Sequence, residues 1–375
     1  MANHNPITRI GDLADSVSET HKFGKEKLIF LNTSDILHGK ILHRTYSAVK
    51  DWPGQAKKSI CKDDILFSEI RPANGRWAYV EEDADDFVVS TKLMVIRTRK
   101  DKLFPKFFYQ FLTSSEITRW LQHLAESRSG TFPQITFDEV ASLELPLPSL
   151  ATQHAIAAVL GSLDDKIELN RRMNETLEAL AQSLFKSWIV DATQSALPKG
   201  WRKATIRELC EFAYGKALKA ETRRAGSVPV YGSNGQVGWH DEALVKGPGI
   251  VVGRKGNPGI VIWSPTDFFP IDTTFYVVPK GECRSLYFLF HALRAHDLAS
   301  LGADSAVPGL NRNMAYMSKQ VLPPSDVQEA FDKQVRPLFE LVHHNNEESR
   351  TLAGLRDALL PKLLSGELRV PVKGN

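Results

Sequence analysis

The chain has 375 residues, of which 42% are apolar and 24% charged, values that are ordinary for a soluble globular protein of two or three domains. It shows neither the apolar stretch of a signal peptide nor a run of about 18 apolar residues that could cross a membrane. Cys61, Cys210 and Cys283 form no Cys-x-x-Cys pair, which argues against a disulfide framework and against a zinc site. These features predict a protein of the reducing cytoplasm without a bound metal.

The positive charge is unevenly distributed along the chain. The formal net charge is +3, and residues 191–320 hold 16 Lys and Arg against 11 Asp and Glu. Residues 81–86 are mostly acidic, which leaves the rest of residues 1–148 basic. A basic surface is what contact with phosphates requires. On composition alone, an ordinary solvated surface of mixed charge is the simpler interpretation.

Residues 1–148 are predicted to form a strand-rich region. β-Branched and aromatic residues are dense at 28–32, 65–67, 77–80 and 87–97, and Gly, Asp and Asn separate these runs. Residues 104–126 carry apolar and aromatic side chains at helical spacing, which predicts one or two helices. We expect these aromatic residues to be core rather than a platform for stacking bases.

A long helix is predicted to begin at Ser149, with Gln153 near the partner position of a capping box. From Ile156 onward its apolar positions recur in steps of three and four, typical of a heptad seam, and a second seam begins at Phe331. In neither helix is the polar face long enough for the helix to be stable alone in water. We therefore predict that the two helices form an antiparallel coiled coil, with the strand-rich regions at opposite ends. The predicted interface consists of Ile156, Leu160, Leu163, Ile167, Asn170, Leu177 and Leu184 in the first helix and Phe331, Val335, Leu338, Val342, Asn345, Leu352 and Leu359 in the second.

Asn170 and Asn345 interrupt the two seams at equivalent positions near their middles. We predict that these side chains meet, because a buried amide pair lowers stability but penalises slipped registers. The alternative is a seam through Met173, with both Asn side chains in solvent.

The sequence is internally repeated. The pattern of residues 133–188 returns at 308–363, so that Pro133 and Ile135 correspond to Pro308 and Leu310. Two copies are too few for a solenoid, so we predict a pseudo-symmetric protein that does one job at two places. Residues 191–324 form the second strand-rich region, and a helix over 286–301 corresponds to the helical stretch of the first.

Polar, glycine-rich loops of the two regions are the candidate nucleic-acid contacts. In the second region, Gly253-Arg-Lys-Gly256 combines a backbone that can approach a ligand with donors suited to phosphate or guanine. Arg71 is expected at the equivalent place in the first region. The alternative for such a loop is a tight hairpin with incidental charge. The candidate residues are Arg71, Asn74, Arg76, Tyr231, Ser233, Asn234, His240, Arg254, Lys255, Asn257, Asn311 and Arg312.

Signatures of catalysis are missing from the sequence. It contains no Asn-Pro-Pro-Tyr or Asp-Pro-Pro-Tyr motif of base methylation, no glycine-rich cofactor loop after a strand, no His-Glu-x-x-His and no Gly-x-Ser-x-Gly. His343 and His344 are expected on a solvated helix face rather than at a metal site. We therefore predict no catalytic residue.

Each strand-rich region ends in Pro-x-(Ile/Leu)-(Thr/Asn), followed by a Pro-rich stop and a long helix with a nearby Gln. This organisation resembles the specificity subunit of type I restriction-modification systems, most recognisably in the run from Val230 to Gly256. The resemblance implies a mixed α/β (α+β) fold with two pseudo-symmetric target recognition domains. These would span 1–148 and 191–324, and the coiled-coil helices would span 149–190 (the central repeat region) and, with a C-terminal tail, 325–375 (the distal repeat region).

The resemblance also implies a non-catalytic, DNA-binding subunit. Each recognition domain would read one half of a bipartite double-stranded target, and the helices would set the spacer and dock two methyltransferase subunits. This chain would bind no cofactor, because S-adenosylmethionine, ATP and Mg²⁺ would belong to the methyltransferase and restriction/translocase partners. The alternatives are the recognition part of a self-contained methyltransferase or nuclease, and a coiled-coil scaffold that binds only protein.

Overall fold

The computed structural model describes residues 5–128, 133–303 and 309–371, so Pro308 of the predicted repeat lies outside the described residues. The chain divides into two compact units. Unit 1 comprises Met1–Ile167 and Ser349–Asn375, and unit 2 comprises Glu168–Glu348. In the described residues, no helix is both long and apolar enough for a membrane span.

Unit 1 is rich in short strands. Its strands are β1 (Ile7–Arg9), β2 (Ala14–Val17), β3 (Lys27–Leu31), β4 (Ile36–Leu37), β5 (Lys40–Ile41), β6 (Tyr46–Ala48), β7 (Ala56–Ser59), β8 (Ile65–Ser68), β9 (Trp77–Tyr79), β10 (Phe87–Ser90), β11 (Leu93–Thr98) and β12 (Glu144–Pro146). Its shorter helices are α1 (Pro105–Leu112), α2 (Ser115–Arg128) and α3 (Phe137–Ala141), with 3₁₀ turns at Ile10–Asp12, Thr33–Asp35, Val49–Asp51 and Pro72–Asn74.

The long helix α4 (Leu150–Phe185) leads from unit 1 into unit 2, and α8 (Ser325–Ser365) leads back. The strands of unit 2 are β13 (Arg202–Thr205), β14 (Cys210–Tyr214), β15 (Val228–Gly232), β16 (Gly235–His240), β17 (Gly249–Gly253), β18 (Val261–Ser264), β19 (Phe269–Pro270), β20 (Thr274–Pro279), β21 (Gly302–Ala303), β22 (Gly309–Leu310) and β23 (Lys319–Leu322). Its shorter helices are α5 (Ile206–Leu209), α6 (Leu286–Ala295) and α7 (Arg312–Met317), with a π-helical turn at Lys186–Val190 and 3₁₀ turns at Asp191–Thr193, Ala220–Thr222 and Leu298–Leu301.

The two units share one sheet plan. The sheet β2-β11-β8-β9 of unit 1 has the same order as β14-β20-β17-β18 of unit 2, and the pair β1-β12 corresponds to β13-β23. A second sheet, β6-β3-β10-β7, matches β16-β15-β19 except for the extra strand β7, and each contains one parallel pair, β3 with β10 and β15 with β19. The predicted mixed α/β fold with two strand-rich regions and long helices is therefore confirmed.

Three local expectations were wrong. Residues 87–97 form two strands in different sheets, because the chain turns at Thr91–Lys92. The helix of 286–301 ends at Ala295 and continues only as a 3₁₀ turn. Trp120 is 44% exposed, whereas Phe107, Phe108 and Phe111 of α1 are core residues as expected.

A buried glutamine anchors the start of each long helix, and Gln153 is not a capping-box partner of Ser149. Gln153 accepts a hydrogen bond from the Phe104 amide at 2.8 Å and donates to the carbonyls of Lys102 and Pro148. Gln328, 175 positions later, accepts from the Ser285 amide and donates to two carbonyls in the same way. In each unit, a glutamine at the equivalent position of the repeat therefore bonds the start of the long helix to the rest of the unit.

Candidate nucleic-acid interface

The turn between β19 and β20 gathers the glycine-rich loops of unit 2. The carbonyl of Thr273 accepts hydrogen bonds from the backbone amides of Arg254 at 2.9 Å and Lys255 at 3.1 Å. Ser233 Oγ lies 2.7 Å from the same oxygen and 2.5 Å from the carbonyl of Lys255. These bonds fix the predicted 253–256 loop to the sheet, so its backbone is held in place before any ligand arrives.

A tyrosine that the sequence analysis missed brings two of the predicted arginines together. The guanidinium carbons of Arg254 and Arg312 each lie 4.8 Å from the centroid of the Tyr214 ring. Arg254 also donates to the carbonyl of Asp272 at 3.0 Å. Tyr214 stands at the end of β14 and is 49% exposed. A strand-ending aromatic is not distinctive in sequence, because its contacts come from loops about 40 and 100 positions later.

Three other candidates lie at the surface beside this cluster. Lys255 and Asn257 are exposed on the glycine-rich loop, and Asn234 is exposed at the turn between β15 and β16. The side-chain amide of Asn257 donates to Asn234 Oδ1 at 2.5 Å, so the two loops are linked. Side-chain amides presented this way can donate to or accept from base edges, and an ammonium group can donate to them.

Four predicted contacts use their side chains within the protein, and three of them, Tyr231, Ser233 and His240, are buried rather than at the surface. Tyr231 is buried and packs edge-to-face on Phe268. His240 is buried, accepting from the Arg224 amide, and Ser233 holds the loop as described above. Asn311 caps α7 by accepting from the Asn313 and Met314 amides. Tyr231 lies in β15, whose last four residues are all buried, and His240 is the one buried residue of β16.

The three predicted contacts of unit 1 differ in whether their side chains are exposed. Arg71 and Asn74 are exposed on the 3₁₀ turn at Pro72–Asn74, and Arg71 has a left-handed backbone with φ +46°. The guanidinium of Arg76 instead donates to the carbonyls of Ser34 and Ile36 at 2.9 and 3.1 Å. Arg76 therefore braces the preceding loop, and two of the three candidates are left at the surface.

The backbone register corrects the expected correspondence between Arg71 and Arg254. Gly253 pairs with Thr274 as Ser68 pairs with Leu93, so the next residues, Arg254 and Glu69, are equivalent. The amide of Glu69 donates to Lys92 O and its carbonyl accepts from Ile135 N, as Arg254 donates to Thr273 O and accepts from Leu310 N. Arg71 lies two residues further along, in a loop of different length.

Asn170 and Asn345 are both buried where α4 and α8 pack together inside unit 2. Asn170 Nδ2 lies 3.4 Å from the carbonyl of Asn345 and donates to Glu348 Oε2 at 2.7 Å. Asn345 Nδ2 donates to Asn174 Oδ1 at 2.8 Å. Asn170 therefore contacts Asn345 through the backbone carbonyl of Asn345, and both residues belong to a small amide network that also uses Asn174. Since residues later in α4 meet residues earlier in α8, the helices are antiparallel here.

The remaining seam positions are buried to different degrees. Ile156, Leu160, Phe331 and Val335 are fully buried in the cores of their own units. Half-buried positions are Leu163, Ile167, Leu177, Leu184, Leu338, Val342, Leu352 and Leu359. Within unit 1, Arg356 Nη1 donates to Asp164 Oδ1 at 2.7 Å, which joins the two helices by an ion pair.

The chemistry of the described residues offers no metal centre. In that part of the chain, no three His, Cys, Asp or Glu side chains are placed to share an ion. Burial raises the pKa of the Cys210 and Cys283 thiols to about 12, so both are protonated at neutral pH. These thiols are core residues and not ligands or nucleophiles.

Comparison with known proteins gives a consistent picture. The model of the type I restriction modification DNA specificity domain matches residues 6–179 and again 198–329. The chain is 34% identical to the type I restriction enzyme HindI specificity subunit of Haemophilus influenzae, over 96% of this chain and 98% of that protein. It is 26% identical to the MjaIX specificity subunit of Methanocaldococcus jannaschii, over 72% and 71% of the two chains. The S subunit of a type I system from M. genitalium has the same fold, with a TM-score of 0.57, 20% identity and 97% of each chain covered.

Proposed function

Because the chain belongs to the type I restriction modification DNA specificity family, we propose that it is the subunit that selects the DNA target of a type I restriction-modification complex. The observation that carries this proposal is the duplication. Two regions of one fold, each matched by the specificity-domain model, suit a target read as two half-sites.

In this proposal residues 1–148 and 191–324 are the two target recognition domains. Residues 149–190 and 325–375 supply the helices that set the spacer and dock two methyltransferase subunits. Lys255, Asn257 and Asn234 contact DNA in the second domain, together with Arg254 and Arg312, while Arg71 and Asn74 do so in the first. Lys255, Asn257, Asn234, Arg71 and Asn74 are supported by their exposure on loops that backbone hydrogen bonds hold to the sheets. Arg254 and Arg312 are half-buried and are supported by their placement over the Tyr214 ring beside those loops.

The chain acts as a non-catalytic subunit in this scheme. Methyl transfer with S-adenosylmethionine, and cleavage with ATP and Mg²⁺, are delegated to the methyltransferase and restriction/translocase partners. The sequence supports this division because it contains none of the methylation or cofactor motifs sought above.

Methylation mapping tests the proposal directly. The chain is expressed with its methyltransferase partner in a host that lacks adenine methylation, and modified bases are located across the genome. We expect a bipartite motif with a fixed unspecified spacer. A matched strain in which Lys255 and Asn257 are both alanine should show relaxed or lost selection in one half-site only.

Two outcomes would contradict the proposal. Methylation by the purified chain alone would identify a self-contained enzyme, and an unchanged methylation pattern without the chain would identify a protein-binding scaffold. Gel-shift measurements with the mapped duplex, with and without the methyltransferase, separate these alternatives.

A further inference from the structure

The stack of Arg254, Tyr214 and Arg312 has no counterpart in unit 1. Glu69 stands at the place of Arg254, as the register shows. Thr136 caps α3 as Asn311 caps α7, so the next residue, Phe137, corresponds to Arg312. Counting one residue beyond the pair of Val17 with Val95 places Ser18 at the position of Tyr214. The same place in the fold thus holds two arginines and a tyrosine in unit 2, and Glu69, Ser18 and Phe137 in unit 1.

The charges of the two places also differ in how they are balanced. Glu69 lies 4.0 Å from the ammonium group of Lys92, so unit 1 is locally neutral there. Among the described carboxylates, none pairs with Arg254 or Arg312, whose guanidinium groups share one ring. Because each guanidinium carbon is 4.8 Å from the same centroid, the two charges are at most twice that distance apart. Like charges at that separation repel each other, and an anion bound beside them relieves the repulsion.

Phosphate is the part of DNA that supplies this charge. A guanine edge offers neutral acceptors, which satisfy one guanidinium without offsetting two positive charges, whereas backbone phosphates are anionic at every sequence. The ring face orients both guanidinium planes, and the bond from Arg254 to the Asp272 carbonyl fixes one of them, so little side-chain freedom is lost on binding.

Resting on the proposed function, we infer that Tyr214 is a positioning residue that holds Arg254 and Arg312 against DNA phosphates. The second unit then supplies a larger share of the sequence-independent, salt-dependent affinity than the corresponding place in the first. Base reading in this unit belongs to the neighbouring exposed loop residues.

The test measures binding of the full chain, assembled with its methyltransferase, to the mapped duplex and to a scrambled duplex over a range of salt concentrations. Tyr214→Leu removes the ring, and Arg312→Gln removes one charge even if the first variant fails to fold. Both variants should weaken binding to the two duplexes by the same factor. The slope of log affinity against log salt should become shallower by about 1 for each phosphate that the variant no longer neutralises.

Two matched controls isolate the cause. Tyr214→Phe keeps the ring and should bind like the wild type. Arg224→Gln removes the same charge at a side chain already paired with Asp241 and Glu242, and should leave the salt slope unchanged.

The outcomes separate this inference from the proposed function. If the wild-type complex does not discriminate the mapped from the scrambled duplex, the proposed function fails. If it discriminates, but Tyr214→Leu and Arg312→Gln keep the wild-type slope or change the preference at a single base pair, the phosphate assignment is overturned.

Discussion

At the scale of single residues, Arg71 shows a conflict between stability and a surface role. Its φ of +46° lies in the left-handed region, where a residue with a Cβ pays about 1–2 kcal/mol and glycine does not. Because Arg71 is exposed, its backbone strain can be separated by substitution from the surface role proposed for its side chain.

We expect the unfolding free energy of Arg71→Gly, measured with urea, to exceed that of Arg71→Ala by about 1 kcal/mol, because only glycine relieves the backbone strain. Both variants should lose the same DNA affinity, since both lack the guanidinium group. Equal stability of the two variants would show that the left-handed backbone carries no cost, and wild-type DNA affinity would remove Arg71 from the interface.

His291 provides a second residue-scale prediction. It is buried among phenyl rings, its Nε2 has no hydrogen-bond partner, and burial together with nearby Arg294 lowers its pKa to about 4. In the unfolded chain the pKa is about 6.5, so between pH 6.5 and 4 the unfolded state gains a proton that the folded state does not. This titration leaves the free energy of unfolding unchanged above pH 6.5. As the pH falls toward 4, it lowers the free energy of unfolding by about 3 kcal/mol in total.

His291→Leu should therefore flatten the decline of unfolding free energy between pH 6.5 and 4. The measurement is urea unfolding at a series of pH values. His344→Leu, at an exposed position of α8, serves as the control and should retain the wild-type decline. A parallel decline in His291→Leu would assign the acid sensitivity to other groups.

Sequence reasoning was least reliable at this scale. Glycine-rich, polar loops were located correctly, but Tyr231 is buried because β15 is covered at four consecutive residues, and His240 is the buried last residue of β16. Tyr214 was missed because its role depends on arginines that the fold, not the local sequence, brings to it. Arg71 was matched to Arg254 by residue type, whereas strand pairing assigns that place to Glu69.

At the scale of elements, the period of the apolar pattern was sufficient to identify the long helices, and the repeat was sufficient to identify two regions of one fold. The strand predicted over 87–97 was wrong because two β-branched runs adjoin, and only the turn at Thr91–Lys92 divides them. The anchoring roles of Gln153 and Gln328 were not predictable either, since their partners lie in another part of each unit.

The next prediction concerns these two glutamines. Replacing Gln328 by Leu leaves the buried amides and carbonyls that it bonded without partners, so the variant should lose about 2–4 kcal/mol of unfolding free energy. Gln153→Leu should lose a similar amount in unit 1. Urea unfolding checks both values, with Gln334→Leu, exposed on α8, as a control expected within about 0.5 kcal/mol of the wild type. Near-neutral effects at 153 and 328 would show that helix packing alone holds these junctions.

At the scale of the whole molecule, similar scaffolds carry dissimilar loops. The cluster around Tyr214 is cationic, whereas the equivalent place of unit 1 holds the Glu69–Lys92 pair. Half-sites read by surfaces of different charge need not share a sequence. The helices, in contrast, repeat their buried positions, as Gln153 with Gln328 and Asn170 with Asn345 show. Selection of bases is thus free to vary while the framework stays constant.

If the helices are the ruler between half-sites, their length should determine the spacer. One heptad inserted into α4 after Ile167 and one into α8 after Glu348 lie at the boundaries of the compact units, outside both large cores. Seven residues add about 10 Å and return the helix to within about 20° of its original phase, so both seams are preserved. At about 3.4 Å per base pair, the spacer should lengthen by about three base pairs while both half-site sequences stay the same.

A matched insertion of five residues in each helix rotates the seam by about 140° and should abolish methylation, because the apolar faces no longer meet. Methylation mapping distinguishes the outcomes. The original spacer in the heptad variant would show that the helices do not measure the distance between half-sites.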